Sequence, residues 1–248
     1  MNWVSITGLI FVLLSTGILV SLSLWKRKKP PTFRDIPAYT LLDKEIGLAI
    51  EDGSRVHSSL GRSSLLEHGS AASFAALGLL RRISELTSVS DQPPIATSGD
   101  AALAVLTQDV FQSAYQTSGA GEQYHPSTGR VTGLTPFSYA AGSLPAMRDE
   151  NVSVNILLGS FGVEAGLLTD TAERENSFIL AAADGLPAQA ILYASLQDPL
   201  IGEELYAAGA YVQAGQPHTA SLQVQDILRW VFVVLIMGGA VLRLIGLL

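Results

Sequence analysis

The sequence contains no cysteine and only four histidines. Without cysteine, disulfides, thiolate nucleophiles, zinc–thiolate sites and cysteine-held iron–sulfur clusters are all excluded. Neither a G-x-S-x-G turn nor an H-E-x-x-H motif is present, so the usual signatures of hydrolases are also missing. We therefore predict no catalytic residues, no metal site and no cofactor, and we expect a protein that is not an enzyme.

Lysine is nearly absent beyond the start of the chain, because Lys44 is the only lysine that follows Lys29. Between Arg34 and Asp226, nine basic residues stand against 22 acidic ones, which gives this region a net charge of −13. Such a charge repels phosphate backbones, and no basic stripe with interleaved aromatic residues occurs. We therefore expect no binding to nucleic acid.

Two long apolar stretches are the strongest signal in the sequence. Val4–Trp25 has no ionisable side chain, and Ile227–Leu248 is apolar apart from Arg229 and Arg243. At a rise of about 1.5 Å per residue, each stretch is long enough to cross a hydrocarbon core of about 30 Å as a helix. We predict a two-pass membrane protein, with the lipid bilayer as one partner and a domain between the two helices.

A cluster of positive charge follows the first apolar stretch and indicates its orientation. The cluster consists of Lys26, Arg27, Lys28 and Lys29. Basic residues are retained on the cytoplasmic side of membrane helices. We therefore expect the N-terminus outside, the central domain in the cytoplasm and the protein in the cell (inner) membrane. A cleaved signal peptide is the alternative, but here the charge follows the apolar run and no small-x-small cleavage site is present.

Composition divides the chain into five segments. Pro30 and Pro31 break the first helix after the basic cluster, and a stretch rich in Gly, Gln and Ser, with Pro217, precedes the second. The predicted segments are an N-terminal helix with its basic flank at 1–29, a linker at 30–35, an α/β domain at 36–213, a linker at 214–226 and a C-terminal helix at 227–248.

Short apolar runs alternate with longer helical patterns through the central domain. This rhythm predicts a mostly parallel, Rossmann-like sheet with helices on both faces. The predicted strands are Arg55–Leu60, Pro94–Ser98, Val131–Thr135, Val152–Leu158 and Ser177–Ala183, the second and fourth of them at the centre of the sheet. A first predicted helix opens at Asp35-Ile36-Pro37 and ends at Asp52-Gly53, and the others are Ser70–Thr87, Asp100–Thr117, Phe137–Met147, Val163–Glu175, Pro187–Leu196 and Ile201–Gln213.

Glycines and small hydroxylated residues follow several of the predicted strands. Parallel sheets bind ligands beyond the carboxyl ends of their strands, where N–H groups and helix N-termini can hold an anion. The predicted ligand-binding residues are Ser98, Gly99 and Asp100 after one strand and Gly159, Ser160 and Gly162 after another. The second spacing is neither a dinucleotide fingerprint nor a Walker A motif, so a tight strand-to-helix turn is the favoured interpretation. Asp100 is likewise favoured as a helix N-cap.

Small residues occur on both predicted membrane helices. They are Gly8, Ser15 and Gly17 on the first and Gly238 and Gly239 on the second, and Arg243 lies well inside the second apolar stretch. Small residues allow close helix approach in a bilayer, and an arginine near mid-bilayer costs at least about 2.5–3.5 kcal/mol. We predict a membrane or oligomer interface at these positions, with a homo-oligomer as the assembly.

Three segments of the central region resemble a known domain family. Ile36–Tyr39 with Glu45–His57 resembles the opening of its domain, and Ala182–Ala190 and Pro199–Tyr211 resemble the closing segment. It is an uncharacterised membrane-anchored family of bacteria and archaea, including filamentous Chloroflexota-type bacteria. The family has no assigned activity, so the resemblance implies an architecture and no site residues.

Two functional hypotheses of different classes follow. The first is a homo-oligomeric structural scaffold or ring at the membrane, which the small residues of the membrane helices and the lack of catalytic motifs favour. The second is a membrane-tethered sensor that binds a nucleotide or another small anionic ligand at the strand ends. Lateral contacts that bury the strand ends would favour the scaffold, and an open rim holding an anion would favour the sensor.

Overall fold

The apolar segments of the central region form a parallel sheet, as the alternating pattern predicts. The computed structural model describes residues 3–25, 33–62, 65 and 70–245 of the chain. Its strands are β1 (Arg55–Gly61), β2 (Ile95–Ser98), β3 (Gly129–Val131), β4 (Val152–Ser160) and β5 (Phe178–Ala183). They pair in parallel in the order β3-β2-β1-β4-β5, so β1 is the central strand and β2 and β4 flank it. β2 and β4 were predicted at the centre of the sheet; they are interior strands on either side of β1, which holds the centre.

Helices cover both faces of this sheet, which confirms the predicted α/β class. Those of the domain are α2 (Pro37–Glu51), α3 (Ser70–Thr87), α4 (Ala101–Thr117), α5 (Pro136–Asp149), α6 (Ala165–Arg174), α7 (Leu186–Ser195) and α8 (Glu204–Tyr211). One hydrophobic core joins α2, α3, α4 and α8 to the side of the sheet that carries Val56, Ile156 and Leu158. A second core joins α5, α6 and α7 to the opposite side, which carries Leu157 and Ala181.

The third strand lies earlier in the chain than the sequence predicts. The prediction was Val131–Thr135, but β3 ends at Val131 because the chain must turn to enter α5. Thr135 caps that helix in a reciprocal capping box with Ser138. Pro136 restricts the residue before it to an extended conformation, so the local pattern resembles a strand while the chain is already forming a helix start.

The last helix of the domain is shorter than the predicted Ile201–Gln213. It is limited at both ends by residues with positive φ, Gly202 at +64° and Gln213 at +57°. Left-handed backbone of this kind ends a right-handed helix, and α8 therefore occupies only Glu204–Tyr211.

The two terminal apolar stretches form long helices, α1 (Trp3–Trp25) and α9 (Gln216–Leu244). Together with the residues next to them they make one compact unit, and Arg34–Ala214 makes the other. Within the terminal unit the two helices pack on each other, with the rings of Phe11 and Phe232 5.9 Å apart. Both helices are long and apolar enough to cross a membrane, so the chain is a membrane protein by length and composition.

The prediction of an exit linker at 214–226 is wrong for most of that range, because α9 begins at Gln216. Pro217 lies in the first turn of this helix, where the missing N–H group of proline costs nothing. The proline that suggested a break therefore begins a helix. At the other junction, Lys26, Arg27, Lys28, Lys29 and residues 30–32 of the entry linker lie outside the described residues.

A buried histidine links the three central strands through its side chain. His57 Nδ1 lies 2.9 Å from Asn155 Oδ1, and Nε2 lies 2.9 Å from Thr97 Oγ1. Asn155 in turn donates to Ser177 Oγ at 2.8 Å. An amide oxygen only accepts, so Nδ1 carries the proton and Thr97 donates to Nε2. Burial lowers the pKa of His57 to about 4, and this residue is a satisfied core histidine.

We expect acidification to destabilise the domain through His57. Its pKa of about 4 in the fold lies below the ordinary value of 6.5, so the unfolded chain takes up the proton first. The stabilisation is complete above pH 6.5 and is lost as the pH falls towards 4, by on the order of 3 kcal/mol. His57→Gln should remove most of this pH dependence in denaturant unfolding, and His125→Gln, on an exposed loop, should retain it. If the free energy of unfolding changed equally with pH in wild type and in His57→Gln, the pH dependence could not be assigned to His57.

Candidate functional site

The carboxyl edge of the sheet brings together the ligand-binding residues predicted from the sequence. The N–H group of Gly99 donates to Gly61 O at 2.9 Å, and the N–H group of Arg62 donates to Ser160 O at 3.0 Å. The carboxyl ends of β1, β2 and β4 are therefore hydrogen-bonded to one another through their last residues and the residues that follow. The sequence places Ser98–Asp100 and Gly159–Gly162 at one edge correctly, and the structure shows that Arg62 lies between them.

The glycines at this edge allow two backbones to approach each other. Gly61 has φ +76°, and a Cβ there would lie 2.3 Å from Ser160 O. Gly159 has φ +154°, and its Cβ would lie 2.1 Å from Leu60 O. No side chain fits either position, because real Cβ atoms do not come this close to another atom. The structural requirement for these glycines is thus the contact between β1 and β4, which needs no ligand.

Arg62 crosses the edge from the end of the central strand. Its side chain passes Gly99, where a Cβ would lie 2.5 Å from Arg62 Cγ. Its Nε then lies 3.1 Å from Glu164 Oε1. The guanidinium is partly exposed, whereas the Glu164 side chain is only 1% exposed. This ion pair connects the end of β1 to the turn between β4 and α6.

The Glu164 carboxylate occupies the turn in which an anion was expected. The N–H group of Gly162 donates to Glu164 Oε1 at 3.0 Å, in addition to the contact from Arg62. Burial by itself would raise the pKa of Glu164, but hydrogen bonds from the backbone N–H groups of Gly162 and Glu164 and from Arg62 lower it below its ordinary value. The turn therefore carries its own bound anion, a carboxylate of the same chain.

The other predicted residues at this edge also bond within the chain. Asp100 is the N-cap of α4, and its Oδ1 accepts from the N–H group of Leu103 at 2.9 Å. Ser98 is buried, and its hydroxyl lies 3.2 Å from Asp100 O and 3.4 Å from Arg130 O. Ser160 is half-buried and joins the edge through its backbone.

A contact that sequence reasoning missed joins the two ends of the α/β domain. Tyr39 stacks on Tyr211 with the ring centroids 4.9 Å apart, and its hydroxyl donates to Glu204 O at 2.9 Å. The Tyr211 hydroxyl donates to Arg34 O at 2.7 Å, and Arg34 forms an ion pair with Glu204. Burial and the nearby Glu204 carboxylate raise the pKa of Tyr39. The segment that enters the domain is thereby held against the segment that leaves it.

A cavity of about 280 Å³ lies beside this contact. Its lining includes the side chains of Asp35, Asp198 and Glu204, with Arg34 as the single basic residue. Arg34 already pairs with Glu204, so the cavity is acidic and unsuited to an anionic ligand. Among the described residues, no three His, Asp or Glu side chains come together as a set of metal ligands.

The glycines of the membrane helices face open space. At Gly8, Gly17, Gly238 and Gly239, no described atom outside the backbone of the same helix lies within 4 Å of where a Cβ would stand. These glycines are therefore not what brings α1 and α9 together within one chain. The Ser15 hydroxyl donates to the carbonyls of Phe11 and Val12 in its own helix.

Arg243 is exposed in the last turns of α9. It lies in a helix that is otherwise apolar over its second half, and any environment it enters must accommodate its charge. With the glycines and Ser15 it remains a predicted interface residue.

A comparison with known protein families identifies the chain. The model of one family, a domain of unknown function (DUF6754), matches residues 1–248. The chain belongs to this family. The DUF6754 match includes both apolar helices as well as the α/β domain, and it confirms the resemblance to an uncharacterised family without bearing on the bacterial lineage. No curated protein and no solved structure matches the chain.

Removing the internal carboxylate tests its role in this DUF6754 domain. We expect Glu164→Ala to lower the free energy of unfolding by about 1–3 kcal/mol, because it leaves Arg62 and the N–H group of Gly162 without their partner. Inorganic phosphate should restore part of the lost stability in Glu164→Ala and none in wild type, since the freed donors can bind an added anion. The measurement is thermal unfolding of the full-length protein with and without phosphate.

The control for this experiment is Glu173→Ala, a change at an exposed position on α6, the helix that follows the turn. It should be nearly neutral and unresponsive to phosphate. A wild-type protein that gains as much stability from phosphate as Glu164→Ala would contradict the view that Glu164 fills the turn.

Proposed function

We propose that this membrane protein is a homo-oligomeric scaffold, in which α/β domains assemble at the membrane and the two terminal helices anchor them. The observation that carries the proposal is the open space beside four glycines of the membrane helices, Gly8, Gly17, Gly238 and Gly239, of which Gly8 and Gly17 lie on opposite sides of α1. Small residues at such faces allow a second helix to approach closely, and van der Waals contact is the main driving force for helix association in lipid. These faces are unused within one chain and so are available to another.

The orientation that we propose places the α/β domain in the cytoplasm. Its support is the basic cluster Lys26–Lys29, which follows the first apolar helix directly. The domain itself is strongly acidic, so it is held off an anionic inner leaflet while the basic cluster can contact lipid headgroups. An even number of spans also agrees with the contact between Arg34 and Tyr211, which puts entry to and exit from the domain side by side.

The alternative, a sensor for a nucleotide or another small anion, has less support. Its best position was the turn at Gly159–Gly162, and there Glu164 already accepts the hydrogen bonds that a phosphate would need. The N-terminus of α4 is likewise capped by Asp100, and α5 begins with its own capping box. We therefore place the scaffold first.

We expect native mass spectrometry of the full-length protein in detergent to show one discrete oligomer. Gly238→Leu should shift the population towards smaller species, because a large side chain keeps neighbouring helices apart. Met237→Leu, a swap of similar volume on the same helix, should leave the distribution of oligomers unchanged. A wild-type protein that is entirely monomeric would overturn the scaffold proposal, and a small molecule bound to each subunit would support the sensor.

The absence of cysteine makes the topology directly measurable. We expect Trp3→Cys to react with a membrane-impermeant maleimide in intact cells, because α1 begins outside in the proposed orientation. Lys44→Cys, exposed on α2, should react only after the cells are lysed. The opposite pattern of labelling would reverse the proposed orientation, and reaction of both in intact cells would exclude a cytoplasmic domain.

A further inference from the structure

One helix on the surface of the domain carries no charged side chain. α7 lies within an uncharged run from Gly185 to Gln197. Leu186 and Tyr193 on this helix expose 79% and 75% of their surfaces. They are two turns apart and so lie on the same side of the helix, with Ala190 exposed between them. A surface helix in water normally has a polar outer stripe, and the outer stripe of α7 is instead suited to burial.

The neighbouring helices continue this apolar surface. α6 packs against both α5 and α7, and Leu167 on this helix and Val163 in the turn before it are exposed. α5 lies largely within a second uncharged run, Val131–Met147, and exposes 60% of Phe137. We call the surface that these three helices present the α5–α7 face, and its large exposed residues are Phe137, Val163, Leu167, Leu186 and Tyr193.

The charged residues of α5 and α6 lie towards the C-terminal ends of these helices, away from most of this apolar surface. Arg174 lies 2.8 Å from Asp170, and Arg148 lies 3.8 Å from Glu175. These are exposed pairs that offset each other's charge, and the exposed Asp149 and Glu173 lie near the same ends. Away from these ends the α5–α7 face has no exposed charged residue, which is the composition found in the centre of protein interfaces.

We propose that a second copy of this chain docks on the α5–α7 face. The proposal rests on the homo-oligomer proposed above and assigns it a contact outside the membrane helices. Because the region from Arg34 to Asp226 has a net charge of −13, two copies repel each other wherever carboxylates would meet. The α5–α7 face allows two acidic domains to meet with few carboxylates opposed, whereas a basic partner would be attracted to other parts of the surface.

The α5–α7 face is about half the size of a standard protein interface. α6 and α7 have ten residues each, a length of about 15 Å, and three helices side by side at about 8–10 Å cover roughly 25 Å. The projected area of roughly 400 Å² is smaller than the approximately 800 Å² per partner of a standard interface. Membrane tethering compensates for the difference, because chains anchored in one bilayer meet at a high effective concentration.

The test is the oligomeric mass of the full-length double variant Leu186→Glu/Tyr193→Glu in lipid nanodiscs, which keep the chains in one bilayer, measured by native mass spectrometry beside wild type. Both side chains are exposed, so the fold is expected to persist, and circular dichroism checks it. Val105→Glu is the matched control, since Val105 is 63% exposed on α4, which covers the opposite side of the sheet. We expect at least a tenfold loss of oligomer in the double variant and no change in the control.

The outcomes separate this inference from the proposed function. An oligomeric wild type with a dissociated double variant supports docking on the α5–α7 face. An oligomeric wild type whose double variant stays equally oligomeric overturns this inference and leaves the scaffold proposal standing. A monomeric wild type overturns both.

A second measurement does not depend on the stability of the charged variants. Ala190→Cys in liposomes should give a covalent dimer with a bis-maleimide, and Gln112→Cys, exposed on α4, should give none. Absence of a dimer from Ala190→Cys, with the cysteine protected from a soluble maleimide, would mean that the face rests on lipid or on another protein. That result would overturn the proposal.

Discussion

The close approach of β1 and β4 at their carboxyl ends is the contact on which the rest of this edge depends. It requires glycine at Gly61 and Gly159, because a Cβ at either position would overlap a backbone oxygen. With the strands this close, Arg62 leaves the end of β1 within reach of Glu164 in the turn after β4. The ion pair then occupies the position at which parallel sheets usually bind ligands. A feature that resembles a ligand-binding edge in sequence is thus completed from within the chain.

A second constraint acts at the two ends of the domain. The stack of Tyr39 on Tyr211 and the ion pair of Arg34 with Glu204 hold the entering and leaving segments together. A domain that enters and leaves at one place can be anchored at both ends without disturbing its sheet. This arrangement suits a two-pass protein, in which both connections must reach the same surface of a membrane.

Acidity restricts how such domains can assemble. Most of the charge between Arg34 and Asp226 is negative, so contacts between copies must avoid the carboxylates. In the proposed assembly, the uncharged helix α7, the uncharged part of α5 and the glycines of the membrane helices satisfy this condition. Both surfaces of this proposed assembly are small, and confinement to one membrane would raise the effective concentration at which they meet.

Local patterns in the sequence account for much of the fold. The bounds of α3 agree with the prediction at both ends, and the strands β1, β2, β4 and β5 agree within one or two residues. Apolar periodicity is a property of neighbouring residues, so it is readable without the fold. The errors arose where one local signal has two meanings. The strand predicted to end at Thr135 runs up to Pro136, and Pro217 suggested a break, but both prolines lie in the first turn of a helix.

The sequence alone determined the class of the fold, the two membrane-length helices, the acidity of the domain and the absence of cysteine chemistry. It also predicted that the residues of the carboxyl edge lie together, because the carboxyl ends of parallel strands share one edge of the sheet. Only the tertiary structure decided what that edge holds. Arg62 and Glu164 are 102 residues apart, and Tyr39 and Glu204 are 165 apart, so no local pattern relates them. Which side chains meet across such distances depends on strand order and helix packing, which arise only when the whole chain folds.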